Sequence, residues 1–139
     1  MKIRLVVDLC FTVTGALLLQ GCADPYPQFP VFVREVKAAV QPEELRAWAV
    51  QVMKGRAPGD FIDEREVLDA MKGIGGKGPH SVFVARTEGG RNNAVDLCWG
   101  SGFGHWGLIV GEMDFVITSD DPKHRVTAWV PGIYFYRER

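Results

Sequence analysis

Apolar residues in the first half of the chain repeat at intervals of three and four, whereas those in the second half gather into short β-rich runs. The first pattern is clearest after Pro42. It is carried by Leu45, Trp48, Ala49, Val52 and Met53. This spacing is typical of one face of an α-helix. Pro42 fits the first helical position and Gly55 fits the end, so a helix is predicted between them.

Two other segments of the first half have weaker helical patterns. Residues 31–40 fit either a helix or a strand by the spacing of their valines. A second short helix is predicted over residues 63–73. There, Asp63 and Glu66 have the spacing of a capping box, and Gly73 ends the pattern.

The second half alternates strand-forming runs with turn residues. Strands are predicted at 81–87, 94–99, 105–110, 115–118, 126–130 and 133–137. The Pro131-Gly132 pair has the signature of a type II turn. Helices followed by closely spaced strands predict an α+β fold, with about two or three N-terminal helices packed on one face of an antiparallel sheet of about four to six strands.

Glycine and aromatic residues are concentrated between Cys98 and Gly111. We interpret this stretch as two strands meeting at a glycine-rich bend over residues 100–104, because glycine adopts backbone conformations closed to other residues. Pairing around that bend places Trp99 opposite His105. It therefore puts Cys98 and His105 on opposite faces of the sheet.

Length and charge fit one modest domain that does not bind nucleic acid. The chain has 139 residues and a formal net charge of −1, which becomes about −2 if residues 1–21 are removed. The sequence contains no basic run or stripe, so a nucleic-acid partner is not expected. We predict one domain over residues 31–139.

The N-terminus has the layout of an export signal. Lys2 and Arg4 precede a largely apolar run, whose length suits a signal peptide and is short for a membrane span. The end of this run, Leu18-Leu19-Gln20-Gly21-Cys22, resembles the lipobox of bacterial lipoprotein precursors. The resemblance implies cleavage before Cys22 and a lipid on its thiol.

The lipoprotein resemblance divides the chain into three parts. Residues 1–21 are the signal peptide, residues 22–30 a proline-rich tether, and residues 31–139 the domain. The implied partner is a membrane, which the lipid on Cys22 would hold without a transmembrane helix. Ala23 implies the periplasmic side of the outer membrane if the source is Gram-negative. The alternative is a cytosolic protein that retains its N-terminus.

The cysteine count leaves one thiol in the domain. Cys10 is removed with the signal and Cys22 carries lipid, so Cys98 has no partner for an intramolecular disulfide. A lone cysteine in a strand is typically a small buried side chain. The three histidines are widely separated in the sequence, and no zinc or calcium spacing is present. We therefore expect no metal or other cofactor.

One predicted strand resembles a catalytic strand. The run from His105 to Gly111 resembles the histidine strand of papain-like cell-wall cysteine peptidases and of lecithin:retinol acyltransferase-like proteins. The resemblance implies His105 as a general base and Cys98 as the nucleophile. Because the expected register separates these side chains, a cysteine hydrolase or acyltransferase is the alternative hypothesis.

A binding role is the main hypothesis. The rings of Trp99 and Phe103, with a hydrogen bond from His105, suit an envelope glycan, peptide or protein partner. We therefore expect a small lipid-anchored cell-envelope protein that binds or scaffolds, with no catalytic residues.

Overall fold

The computed structural model describes residues 28–86, 93–101, 104–117 and 124–138. The predicted signal peptide and Cys22 lie outside these ranges. In the described part, helices come first and an antiparallel five-stranded sheet follows. The predicted α+β class and strand number are therefore confirmed. None of the described helices combines the length and the apolar character needed to cross a membrane.

The helices occupy the first half of the chain. They are α1 (Phe29–Ala39), α2 (Pro42–Met53) and α3 (Asp69–Lys72), with short 3-10 turns at Glu64–Glu66 and Ile74–Gly76. Residues 31–40, which fit either element by pattern, are helical up to residue 39. Pro30 is tolerated in the first turn of α1, where its missing N–H would have no helical partner. The helix consequently begins inside the predicted tether, residues 22–30.

The second short helix predicted over residues 63–73 is interrupted. The 3-10 turn Glu64–Glu66 and α3 are separate elements. Asp63 caps the turn, because its carboxylate accepts the backbone N–H two residues further on at 2.9 Å. The capping box is incomplete, since the Glu66 carboxylate pairs with Arg56 at 2.8 Å instead.

Five strands form the sheet. They are β1 (Ser81–Arg86), β2 (Asn93–Ser101), β3 (Gly104–Gly111), β4 (His124–Val130) and β5 (Ile133–Glu138). Their order is β1-β2-β3-β5-β4, and each neighbouring pair is antiparallel. Gly132, with a φ of +80°, lies in the turn between β4 and β5, as the Pro131-Gly132 pair predicted.

The strand predicted at residues 115–118 is not formed over the described residues 115–117. The backbone N–H of Phe115 instead donates to the carbonyl oxygen of Glu112 at 3.0 Å, which closes a turn. The Phe115 side chain is buried and contacts the ring of Tyr134. Phe115 is therefore an apolar residue buried in a turn, and it does not belong to a strand.

The register of β2 with β3 differs by one residue from the expected one. Trp99 pairs with Trp106, and Cys98 pairs with Gly107. The expected pairing of Trp99 with His105 is therefore wrong. When the register shifts by one residue, side chains of the two strands that were expected on opposite faces of the sheet lie on the same face, and the reverse.

The register differs because two residues, rather than the expected five, separate the paired ends of the strands. Pairing continues to Ser101 and Gly104, so both strands extend into the segment 100–104 that had been assigned to the bend. Gly100 has a φ of +94°. A Cβ at this position would collide with the carbonyl oxygen of Gly104, which explains why glycine is required there.

Phe32 links the helices to the sheet. Its side chain is 3% exposed, and its ring centroid lies 4.8 Å from that of Trp99 and 5.9 Å from that of Phe135. Leu45 of α2 and Leu97 of β2 belong to the same buried cluster. Helix and strand residues therefore share one core.

We expect Phe32→Ala to lower the free energy of unfolding by about 3–5 kcal/mol, because it removes a buried ring that contacts two others. The matched control is Val31→Ala, at a neighbouring position that is 42% exposed, which should change stability by less than about 0.5 kcal/mol. Urea unfolding followed by circular dichroism measures both. A loss below about 1 kcal/mol for Phe32→Ala would contradict the buried contacts of its ring with Trp99 and Phe135.

Candidate functional site

Successive side chains of β2 lie on opposite faces of the sheet. Val95, Leu97 and Trp99 belong to the buried core cluster. Asp96 and Cys98, which alternate with them, therefore lie on the other face, which we call the outer face. Both carry titratable groups, so the outer face differs in chemistry from the apolar core face.

Cys98 and His105 lie together on the outer face. Cys98 pairs with Gly107, and the residue two positions before Gly107 shares its face. That residue is His105, and its Nδ1 lies 3.8 Å from the Sγ of Cys98. The expectation that these side chains lie on opposite faces is therefore wrong, and the cause is the one-residue difference in register.

His80 approaches Cys98 from the residue before β1. Its backbone N–H donates to the carbonyl oxygen of Cys98 at 2.9 Å, and its ring Nδ1 lies 2.9 Å from the same oxygen. A carbonyl oxygen can only accept, so Nδ1 is the donor and a neutral His80 ring keeps its lone pair on Nε2. The rings of His80 and His105 stack with their centroids 5.8 Å apart.

One thiol and two imidazoles therefore converge. The potential ligand atoms of His80, Cys98 and His105 all lie within 4.8 Å of one another, and we call these residues the outer-face cluster. The two histidines are distant in sequence, but β2 lies between β1 and β3 and brings them to Cys98. Such a set can bind a transition metal ion or pair a nucleophile with a base.

Tyr136 forms one side of the outer-face cluster. It pairs with Gly107 across β3 and β5, and its hydroxyl donates to the Oδ1 of Asp96 on β2 at 2.9 Å. A Cβ on Gly107 would lie 2.6 Å from the Tyr136 ring. The missing side chain of Gly107 therefore lets the ring of Tyr136 cross β3 and reach β2.

Burial controls the protonation of this face. It raises the pKa of the Asp96 carboxyl to about 6, although the hydrogen bond from Tyr136 acts to lower that pKa. Burial also raises the pKa of the Cys98 thiol, and the negative charges of Asp96 and Glu138 raise it further. Hydrogen bonds from Tyr136 and Ser81 act in the opposite direction. The Cys98 thiol therefore stays protonated at neutral pH unless a positive charge is brought to it.

The other residues predicted to bind a ligand are placed differently. Trp99 is 3% exposed, and its indole N–H donates to the carbonyl oxygen of Ile74 at 3.1 Å. Its ring is thus in the core rather than on an exposed platform. Phe103 and Cys22 lie outside the described residues. His105 is half-buried and belongs to the outer-face cluster.

Sequence reasoning missed four residues of this face: His80, Asp96, Gly107 and Tyr136. Strand alternation alone places Asp96 on the same face as Cys98, so that signal was present. The other three depend on which strands are neighbours and in what register. Short local patterns do not encode this pairing.

The outer face thus brings two imidazoles, a phenol and a carboxyl group close to the thiol of Cys98. No protein-family model matches the chain, and no curated protein or solved structure is significantly similar to it. The half-buried thiol and the exposed His80 make the outer-face cluster the candidate functional site.

We expect Gly107→Ala to destabilise the fold by about 1–3 kcal/mol, because the added methyl group overlaps the Tyr136 ring and the backbone of β2. The matched control is Gly73→Ala. A Cβ there meets nothing within 4 Å, and its φ of −96° suits alanine. Thermal unfolding of both variants measures the difference. Equal stability of the two variants would contradict the close passage of Tyr136 over Gly107.

Proposed function

We propose that the protein is a lipid-anchored cell-envelope lipoprotein that binds its ligand on the outer face of the sheet, through His80, Cys98 and His105. Residues 1–21 would be removed, and the lipid on Cys22 would hold the domain at a membrane. The order of basic residues, apolar run and lipobox-like sequence supports this location.

The observation that carries the binding role is the convergence of the outer-face cluster. Its three potential ligand atoms lie within 4.8 Å of one another, and Tyr136 and Asp96 lie beside them, joined by a 2.9 Å hydrogen bond. Titratable groups with perturbed pKa values, gathered at one place, are typical of functional sites. Apolar packing alone would not require them.

We also infer that the helices cover the opposite face of the sheet. The contacts of Phe32 with Trp99 and Phe135 support this arrangement. The polar character of the outer face supports it as well, because an apolar layer on that face would bury Asp96 and Cys98 more deeply. The outer face would then remain accessible to a ligand.

A second candidate function is a cysteine hydrolase or acyltransferase. The observation that favours it is the 3.8 Å distance from Cys98 Sγ to His105 Nδ1, since a nucleophile needs a base within reach. The raised pKa of the Cys98 thiol disfavours it, because the thiolate is the reactive form. Binding is therefore the better-supported function.

Alkylation of Cys98 separates these two functions. In folded, chelator-treated protein, we expect iodoacetamide to react slowly with Cys98 at pH 7. The rate should rise only at a pH above the usual range of a thiol, because burial raises the pKa. Mass spectrometry of the Cys98 peptide at a series of pH values measures the rate. Fast alkylation at pH 7 that His105→Ala slows by about tenfold or more would instead support the enzyme.

The mass of the mature protein tests the membrane anchor. After expression in a bacterium that processes lipoproteins, we expect a chain that begins at Cys22 and carries lipid. Cys22→Ser should leave the precursor unprocessed, whereas Cys10→Ser, the matched control within the signal, should be processed normally. A mass equal to residues 1–139 without lipid would contradict the envelope location.

A further inference from the structure

We propose that the outer-face cluster binds one divalent transition metal ion of the zinc class, with His80, Cys98 and His105 as its protein ligands. This inference rests on the proposed binding function of the outer face and names the ligand. It does not depend on the lipid anchor.

The distances suit a metal ion after small side-chain movements. Zinc binds thiolate sulfur at about 2.3 Å and imidazole nitrogen at about 2.0–2.1 Å, so tetrahedral ligand atoms lie roughly 3.3–3.7 Å apart. The Sγ of Cys98 and the Nδ1 of His105 are already 3.8 Å apart. The full set lies within 4.8 Å, so closing it around an ion needs movements of roughly 1 Å.

The hydrogen bond of His80 supports the same assignment independently. Its Nδ1 donates to the carbonyl oxygen of Cys98 at 2.9 Å. Histidine ligands of metal ions commonly donate their other ring N–H to a backbone carbonyl or a carboxylate, which fixes the ring and its tautomer. His80 is thus held in the tautomer that presents a lone pair on Nε2.

Negative groups around the cluster favour a cation. The Asp96 carboxyl lies on the same face of β2, two residues from Cys98, and is held by Tyr136 at 2.9 Å. The carboxylate of Glu138 accepts the backbone N–H of His105 at 3.2 Å. A divalent ion bound to the thiolate would interact favourably with both carboxyl groups.

The donor types select the class of ion. Two imidazoles and one thiolate suit zinc and similar transition metals, whereas magnesium and calcium prefer oxygen ligands. Within the described residues, this group of ligands contains three members. Three protein ligands leave the fourth position of a tetrahedral ion for water or an exogenous ligand, which is the pattern of catalytic rather than structural zinc sites.

The test uses the purified full chain after removal of metal with a chelator. Isothermal titration with zinc chloride should show one ion bound at the cluster, and cobalt(II) should produce a thiolate-to-metal charge-transfer absorption. Cys98→Ser should abolish the cobalt absorption. His80→Gln and His105→Gln should each weaken zinc binding by about 100-fold or more, since even outer-shell substitutions cost about 10–100-fold.

The matched control is His124→Gln, which removes a histidine of the same sheet that lies outside the cluster. Its ring contacts Tyr136 beside the cluster but supplies no ligand atom to it, so His124→Gln should keep both zinc binding and the cobalt absorption. His80 is exposed, so His80→Gln should retain the fold even if Cys98→Ser does not. Near-ultraviolet circular dichroism confirms folding of each variant. Zinc binding that is insensitive to His80→Gln and Cys98→Ser would overturn the proposal.

The outcomes also separate this inference from the proposed function. Zinc binding that is lost in Cys98→Ser and kept in His124→Gln supports both. Absence of zinc binding together with fast alkylation of Cys98 that depends on His105 overturns the metal site and favours the enzyme. Absence of zinc binding together with an inert Cys98 overturns the metal site alone, because slow alkylation is the result that the binding role predicts.

Discussion

The pairing of β2 with β3 determines which side chains share each face of the sheet. Because side chains alternate along a strand, a register change of one residue transfers a whole set to the other face. In the observed register Trp99 pairs with Trp106, and its side chain lies in the core, where the ring of Phe32 contacts it. The same register leaves Cys98 and His105 on the outer face, 3.8 Å apart. Core packing and candidate site therefore depend on one register.

Local patterns predicted most of the elements but not their pairing. The apolar spacing after Pro42 predicted α2, and Pro131-Gly132 predicted the turn before β5. Residues 115–117 of the strand predicted at 115–118 form no strand, because over so short a segment the buried Phe115 of a turn looks like a strand residue. The register was missed because glycines at 100 and 104 indicated a bend, whereas both belong to paired strands. Glycine permits a bend but does not require one.

The outer face gathers groups whose charged forms are costly to bury. Burial raises the pKa of Asp96 to about 6 and also raises that of the Cys98 thiol. Gly107 contributes by its lack of a side chain, which lets Tyr136 reach Asp96. A divalent cation bound between the two imidazoles and the thiolate would offset the cost of burying these negative charges. The metal ion would thus account for features that apolar packing leaves unexplained.

The β2–β3 register places the Cys98 thiol beside the His105 ring. Nuclear Overhauser contacts in the folded, metal-free protein can check this register, because they report proton pairs that are close in space. We expect contacts between the β-protons of Cys98 and the ring protons of His105, together with a cross-strand backbone contact between Cys98 and Gly107. A cross-strand contact between Cys98 and Trp106, with none between Cys98 and the His105 ring, would contradict it.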